Sequence, residues 1–491
     1  MNTTLRRLSS VIMVMFLALM VSTTAVQFFQ ADSLNNDGRN VRAIYREFNN
    51  ARGPIVVDGQ TIAESIPVDS PFGYQRVFSG GDETRAMMFA PVTGFFSIVN
   101  GSSAVESHLN EFLNGQASAL WVDRLQNLLT GQKNQGSSVE LTIVERIQRA
   151  AWEALGGQRG AIVALDPRTG EILAMVSTPS YDPNRLAVHS SSQANAAFQE
   201  LANDSQNNPM RNRAIAALYP PGSTFKMITA AAAIENGIAA DAQIAAPHRF
   251  ILPGTSQAVR NFGDRECSPS GQMSMHDAMV ISCNTAFLGL ALEVGQDAMA
   301  EMAERFGFGE SFRIPMRSSV SAFPSGDLPP YELPLTGIGQ ASVTSTPLQM
   351  AMMAATIAND GVMMQPFLVD TIRDPELEVV RQTEPEVLRE VVSPETARAL
   401  QAMMVDAVES PQATGVLARV PGIQVAGKTG TAQTVAGVPP HAWFAAYAPA
   451  DDPQIAIAVI VENGGDDAAG ATGGRVAAPM ARAVIQAALG L

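Results

Sequence analysis

Two strand-forming stretches stand at either end of a long helix-forming tract, and this arrangement restricts the fold more than any other feature of the chain. The first, GAIVALDPRTGEILAMVST at 160–178, places two apolar runs around a Pro/Gly turn. The second, HAWFAAYAP followed by ADDP and QIAIAVIVENG, does the same at 441–464. Between them, residues 180–420 read mostly as helix. The clearest case is 346–360, where Thr346, Pro347 and Gln349 make a capping box with proline at the first position, and Gly361 supplies the stop. Strands at both extremes with helices between them predict an α+β domain, an antiparallel sheet covered by helices. That domain opens with TIVERIQRAAWEAL, whose Ile143, Ile147, Ala151 and Leu155 recur every four residues as an amphipathic helix stripe.

Ahead of it, residues 31–138 are a mixed, strand-rich segment. In GPIVVDGQTIAES, Asp58 and Gly59 sit between two apolar runs, the pattern of a tight hairpin, and GQKNQGSS at 131–138 reads as a linker. The expected organisation is therefore an anchor at 1–30, a small β-rich pedestal at 31–138 and the α+β domain at 139–491. No internal repeat is visible.

Residues 8–29 carry no charge. A helix of that length rises about 33 Å, enough to cross the hydrocarbon core of a bilayer. Arg6 and Arg7 precede the run and Asp32 and Asp37 follow it, so the short N-terminus should stay cytoplasmic and the remainder be exported. A signal peptide cleaved near Ala25 is the competing reading. The net charge of −15, with no basic stretch, argues against a nucleic-acid partner. Five scattered histidines lack metal-ligand spacing, so neither a metal nor a cofactor is implied. Cys267 and Cys283 are the only cysteines, and export would allow them to bridge. Two free thiols remain the alternative at this point.

The chemistry is concentrated in the lysines, of which the chain has three against 29 arginines. In ALYPPGSTFKMITAAAA, Ser223 and Lys226 stand three apart at the expected start of a helix, facing the same way. A serine nucleophile needs a base, and a lysine serves only when deprotonated, which arginine never is in proteins. Neutrality at pH 7 requires lowering an ordinary lysine by roughly 3 pH units, about 4 kcal/mol. Taken alone the pair also fits a helix cap beside a solvated lysine. A second lysine, Lys428, stands in VAGKTGTAQ just before the C-terminal hairpin, on what should be a neighbouring strand. Ser282-Cys283-Asn284 follows the helical run MHDAMVI and is the only SxN that falls between the two lysine motifs.

SxxK, SxN and KTG in that order resemble the penicillin-binding proteins and serine β-lactamases. The likeness extends through TIVERIQRAAWEAL, NRAIAALYPPGSTFK, IGQASVTSTPLQMAMMAATIANDG and HAWFAAYAP, and covers about 140–491. RGPIVVDGQTIAES and APVTGFFS are similar to the pedestal of short class B members from actinobacteria. The departures are Cys283, where many relatives carry serine, and the brevity of the pedestal.

The resemblance implies a five-stranded antiparallel sheet flanked by helices and a D,D-transpeptidase that crosslinks peptidoglycan stem peptides and binds β-lactams covalently. On that reading Ser223 attacks the penultimate D-Ala carbonyl, Lys226 takes its proton, Ser282 relays a proton to the leaving amine and Asn284 holds the substrate amide. Lys428, Thr429 and Thr431 bind the substrate carboxylate, the lysine charge lowers the pKa of Lys226, and Gly430 lets the strand approach the ligand. Backbone N–H groups of Ser223 and Thr431 form the oxyanion hole. The implied location is the plasma membrane, single-pass, with the catalytic domain outside, beside a polytopic glycan polymerase of the SEDS type. A D,D-carboxypeptidase, a β-lactamase or a non-enzymatic β-lactam sensor are the alternatives. The pedestal argues against a β-lactamase, and the five residues ahead of Arg6 leave a sensor little room to signal. We further expect Cys267 to pair with Cys283, tying the preceding loop to the SxN motif.

Overall fold

The computed structural model describes residues 2–30, 48–117, 135–433 and 437–491. Its N-terminal helix, Asn2–Thr24, continues as a π-helical turn through Phe29. Within Thr3–Phe29 an 18-residue stretch reaches a mean hydropathy of 2.1 with none of it buried against the rest of the chain, so the helix is long and apolar enough to cross a membrane.

The central sheet is built from the chain extremes. Its five strands are β1 (Gly160–Leu165), β2 (Ile172–Thr178), β3 (Ala426–Ala432), β4 (His441–Ala448) and β5 (Ile455–Val461). They run in the order β3-β4-β5-β1-β2, every neighbouring pair antiparallel, with β3 at one edge. Strand alternation sorts their side chains into two cores. Ala161, Val163, Ala426, Ala432, Trp443, Ala445, Ala458 and Ile460 join one. Ile162, Ala164, Ala442, Phe444, Ile457 and Val459 join the other.

Six helices cover the two faces: α1 (Glu145–Leu155), α2 (Lys226–Glu235), α3 (Asn284–Val294), α4 (Pro347–Ala358), α5 (Pro394–Glu409) and α6 (Ala478–Leu489). Helices α2, α3 and α4 share the first core, and α1 and α6 the second. The α1 stripe is buried as its period predicts, although Ile143 lies before the first helical residue. The α4 capping box forms by half. Thr346 accepts the Gln349 N–H at 3.1 Å, but Gln349 Nε2 donates to Phe306 O, and the Thr346 N–H goes to Ser321 Oγ.

Two regions depart from the sequence reading. The tract 180–420 also holds four short strand pairs, among them Val369–Arg373 with Val379–Gln382. These strands are three to five residues long, too short for alternation to register against helical composition. The pedestal hairpin forms as expected, with Asp58 and Gly59 both at positive φ between Ile55–Val57 and Gln60–Pro67. Its sheet, however, is not its own: six strands run in the order 379–382, 369–373, 138–141, 55–57, 60–67 and 74–78. Residues 131–134 of the expected linker lie outside the described residues. Its last residue, Ser138, opens the middle strand Ser138–Leu141.

Candidate active site

The segment carrying Ser223 is pinned on two sides before its helix begins. Tyr219 exchanges both backbone hydrogen bonds with Ser345, and Trp443 Nε1 on β4 donates to Pro220 O at 3.0 Å. Gly222 then turns at φ 56°, where an added Cβ would sit 2.9 Å from Thr431 O, so only glycine fits. Gly222–Phe225 forms a 3-10 turn that runs into α2. In such a turn residues three apart eclipse, so Ser223 and Lys226 stack as their spacing predicts. Ser223 is half-buried while Lys226 is fully buried. Among the described residues nothing hydrogen-bonds the Ser223 hydroxyl.

The SxN motif meets Lys226 from the start of α3. Lys226 Nζ donates to Ser282 O at 2.8 Å, Asn284 Oδ1 at 2.8 Å and Ser282 Oγ at 3.3 Å. Ser282 occupies the left-handed region at φ 58°, a conformation that a non-glycine residue keeps only when its surroundings hold it there. From β3, Lys428 Nζ donates to the same Ser282 Oγ at 2.7 Å and to Thr429 O at 3.0 Å. Ser282 Oγ thus lies between two lysine nitrogens.

Both lysines are completely buried, and among the described residues neither pairs with a carboxylate. Burial first, and the neighbouring Lys428 second, hold Lys226 well below the ordinary lysine value. Lys428 is brought down to about 7 by burial. The expectation that the charge of Lys428 helps to lower Lys226 is met, but burial is the larger cause.

The motif residues on β3 divide between the two faces of the strand. Lys428 and Gly430 face the core shared with α2, so alternation turns Thr429 and Thr431 to the other side. There Thr429 Oγ1 lies 2.7 Å from Thr414 Oγ1, and Thr431 Oγ1 accepts the Gly473 N–H at 3.4 Å. At Gly430 a Cβ would meet Thr224 Cγ2 and Trp443 Cβ at 2.9 Å and Pro221 O at 3.0 Å. Glycine is therefore needed there for packing against the Ser223 turn. Cys267 and Cys283 form a disulfide with Cα atoms 6.0 Å apart, fastening the preceding loop to the SxN segment.

Sequence reasoning missed Trp443 and Asn261. Trp443 stands opposite Gly430 in the β3–β4 register, a placement that pairing the two strands on paper would have exposed. Asn261 accepts the backbone N–H groups of Asn284 and Thr285 at 2.8 and 3.1 Å. No local pattern announces it.

This arrangement of SxxK, SxN and KTG elements on a helix-covered antiparallel sheet defines a serine acyltransferase of the penicillin-binding class. Residues 160–486 match the penicillin binding protein transpeptidase domain family, and residues 52–139 match the penicillin binding protein A dimerisation domain. The chain is 43% identical over 499 residues to the peptidoglycan D,D-transpeptidase PbpA of Mycolicibacterium smegmatis, covering 100% of this chain and 99% of that protein. Against the PbpA of Mycobacterium tuberculosis it is 42% identical over 498 residues, with the same coverage. The ceftriaxone acyl-enzyme complex of M. tuberculosis penicillin-binding protein A superposes with a TM-score of 0.86 at 41% identity, covering 91% of this chain and 100% of that one. The chain belongs to the penicillin-binding transpeptidases, in the PbpA branch of that family.

Proposed function

We propose that this chain is a membrane-anchored peptidoglycan D,D-transpeptidase that works through an acyl-enzyme on Ser223. The observation that carries the reading is the pair of buried lysines joined through Ser282 Oγ, with no carboxylate between them among the described residues. Lysines so placed lose protons easily, and a neutral lysine one turn from a serine is a general base.

Ser223 Oγ bonds to the carbonyl carbon of the penultimate D-Ala of a donor stem peptide as its proton passes to Lys226 Nζ. The C–N bond to the terminal D-Ala then breaks, and the departing nitrogen takes a proton delivered through Ser282. An amine from a neighbouring stem peptide attacks the ester, forms the crosslink and regenerates Ser223. The Ser223 N–H lies in a first helical turn, where N–H groups lack intrahelical partners, and with the Thr431 N–H it forms the oxyanion hole. Asn284 holds the substrate amide, the Thr429 and Thr431 hydroxyls hold the carboxylate from one face of β3, and the Lys428 charge attracts it from behind the strand. For Thr429 this requires its hydroxyl to leave Thr414. β-Lactams enter the same path and stop at the ester.

The proposed organisation keeps 1–30 as anchor, 31–138 as pedestal and 139–491 as the catalytic domain. Arg6 and Arg7 ahead of the apolar helix orient the catalytic domain outside the membrane. The anchor and pedestal form the surface for a SEDS-type glycan polymerase. The test is intact mass of the detergent-solubilised chain after one equivalent of penicillin, beside Ser223→Ala. A lasting adduct of one drug mass, absent from the variant, is expected. An adduct that persists in Ser223→Ala would sink the assignment, and fast return to the free mass with drug turnover would indicate a β-lactamase.

A further inference from the structure

Helix α3 begins at the motif residue Asn284, yet its N-cap, Cys283, supplies no side-chain cap. Two of the orphan N–H groups of its first turn are satisfied from elsewhere in the chain. Asn261 Oδ1 accepts from Asn284 N at 2.8 Å and from Thr285 N at 3.1 Å. Asn261 is itself buried, and its amide nitrogen donates to Arg265 O at 3.1 Å and Thr285 Oγ1 at 3.3 Å, which fixes its orientation. One residue earlier, Arg260 O accepts from Asn284 Nδ2 at 3.4 Å. That contact turns the Asn284 amide so that Oδ1, and not Nδ2, meets Lys226 Nζ.

We propose that Asn261 is a positioning residue for acylation: it caps α3 from outside the helix and so holds Asn284, with Ser282 beside it, at the distance Lys226 needs. The geometry is sensitive to it because Ser282 sits in a left-handed conformation that its own preference does not maintain. Helix capping by a remote side chain links the loop before the motif to the proton path, through backbone N–H groups that no substitution at Asn284 would remove. The inference rests on the role given above to Asn284.

The test measures the second-order acylation rate with a fluorescent penicillin for Asn261→Ala, Asn261→Asp, Asn284→Ala and the Asn261→Ala/Asn284→Ala pair. Asn261→Ala should slow acylation by roughly a hundredfold, the cost of misplacing a catalytic group by about 1 Å. Asn261→Asp keeps an acceptor for the two N–H groups but loses the donor to Arg265 O, and should recover part of the rate. The double variant should be slower than Asn284→Ala by much less than a hundredfold, because part of the cap's effect passes through the Asn284 side chain and only the hold on Ser282 is left to lose. Full additivity, or a wild-type rate in Asn261→Ala while Asn284→Ala is slow, would overturn the inference alone. A wild-type rate in Asn284→Ala would remove the role of Asn284 and the inference with it. Amide hydrogen exchange of the unmodified chain tests the cap without a variant: Asn284 and Thr285 should be protected. Exchange at the rate of open first-turn amides would refute it.

Discussion

Two clusters of fully buried charge lie in this chain and behave in opposite ways. In the pedestal, Arg52 and Arg76 both reach Glu106, at 2.5 and 2.7 Å, and Arg52 also stacks over Phe96. Burial alone would raise the Glu106 carboxyl, but Arg76 and Arg52 together hold it below the usual range. At the candidate active site Lys226 and Lys428 converge on a hydroxyl, with no anion between them among the described residues. Low dielectric strengthens the paired charges of the first cluster and strips protons from the second. The comparison teaches that burial alone decides neither outcome. A counter-ion turns a buried charge into structure, and its absence turns one into a base.

The largest effect should come from giving the second cluster the chemistry of the first. Lys226→Arg keeps the charge but cannot deprotonate, and acylation should fall about a thousandfold in a stopped-flow assay. A rate near wild type would mean that another group takes the serine proton. Conversely, Glu106→Gln leaves two buried guanidinium groups facing a neutral amide, and urea unfolding should show a loss of about 3 to 5 kcal/mol. Acylation per folded molecule should change little, so a large drop there would tie the pedestal cluster to catalysis. Reducing the Cys267–Cys283 bridge should cost up to about 3 kcal/mol by the chain-entropy model. Thiol titration of the denatured, unreduced chain should find no free thiol, and two would remove the bridge.

The smallest effect, read per pH unit, separates the clusters by pH. Lys428 holds fewer protons folded than unfolded between pH about 7 and its unfolded value of about 10.4. Raising pH through that window therefore stabilises the fold, by at most about 1.4 kcal/mol per pH unit. Lys428→Met should flatten the slope of stability against pH there, and an unchanged slope would show that this lysine is not held neutral. For Glu106 the window is acidic: its contribution is complete above the unfolded carboxylate value and is lost as pH falls through the lowered folded value.

Much of this site was legible because strand and helix periods are local. The strands around 160–178 and 441–464 are continuous apolar runs bounded by turn residues, as strands buried on both faces must be, and the position of KTG just before the last hairpin placed Lys428 on β3, beside β4. The three-residue spacing of Ser223 and Lys226 survived as a 3-10 turn. The unread features all come from contacts between distant segments, which leave no period. Asn261 lies 23 residues before the amide that it caps. Gln349 looked like half of a capping box, but Phe306 O offered it a buried acceptor. The crowding of Gly430 was unreadable for the same reason, since the turn at Pro221 that packs on it lies far away in sequence.

The six-stranded sheet also decides what can be separated from what. Ser138–Leu141 hydrogen-bonds Ile55–Val57 on one side and Val369–Arg373 on the other, so the ladder passes from the N-terminal segment into the late part of the chain without a seam. A proteolytic cut near 138 that released the N-terminal portion would bare a strand edge, the kind of template on which other chains pair and aggregate. Any load borne by the anchor reaches the enzyme through hydrogen bonds as well as through a tether. The pedestal is therefore less a stalk than a wall of the enzyme's own foundation, and the two should be inherited, folded and lost together.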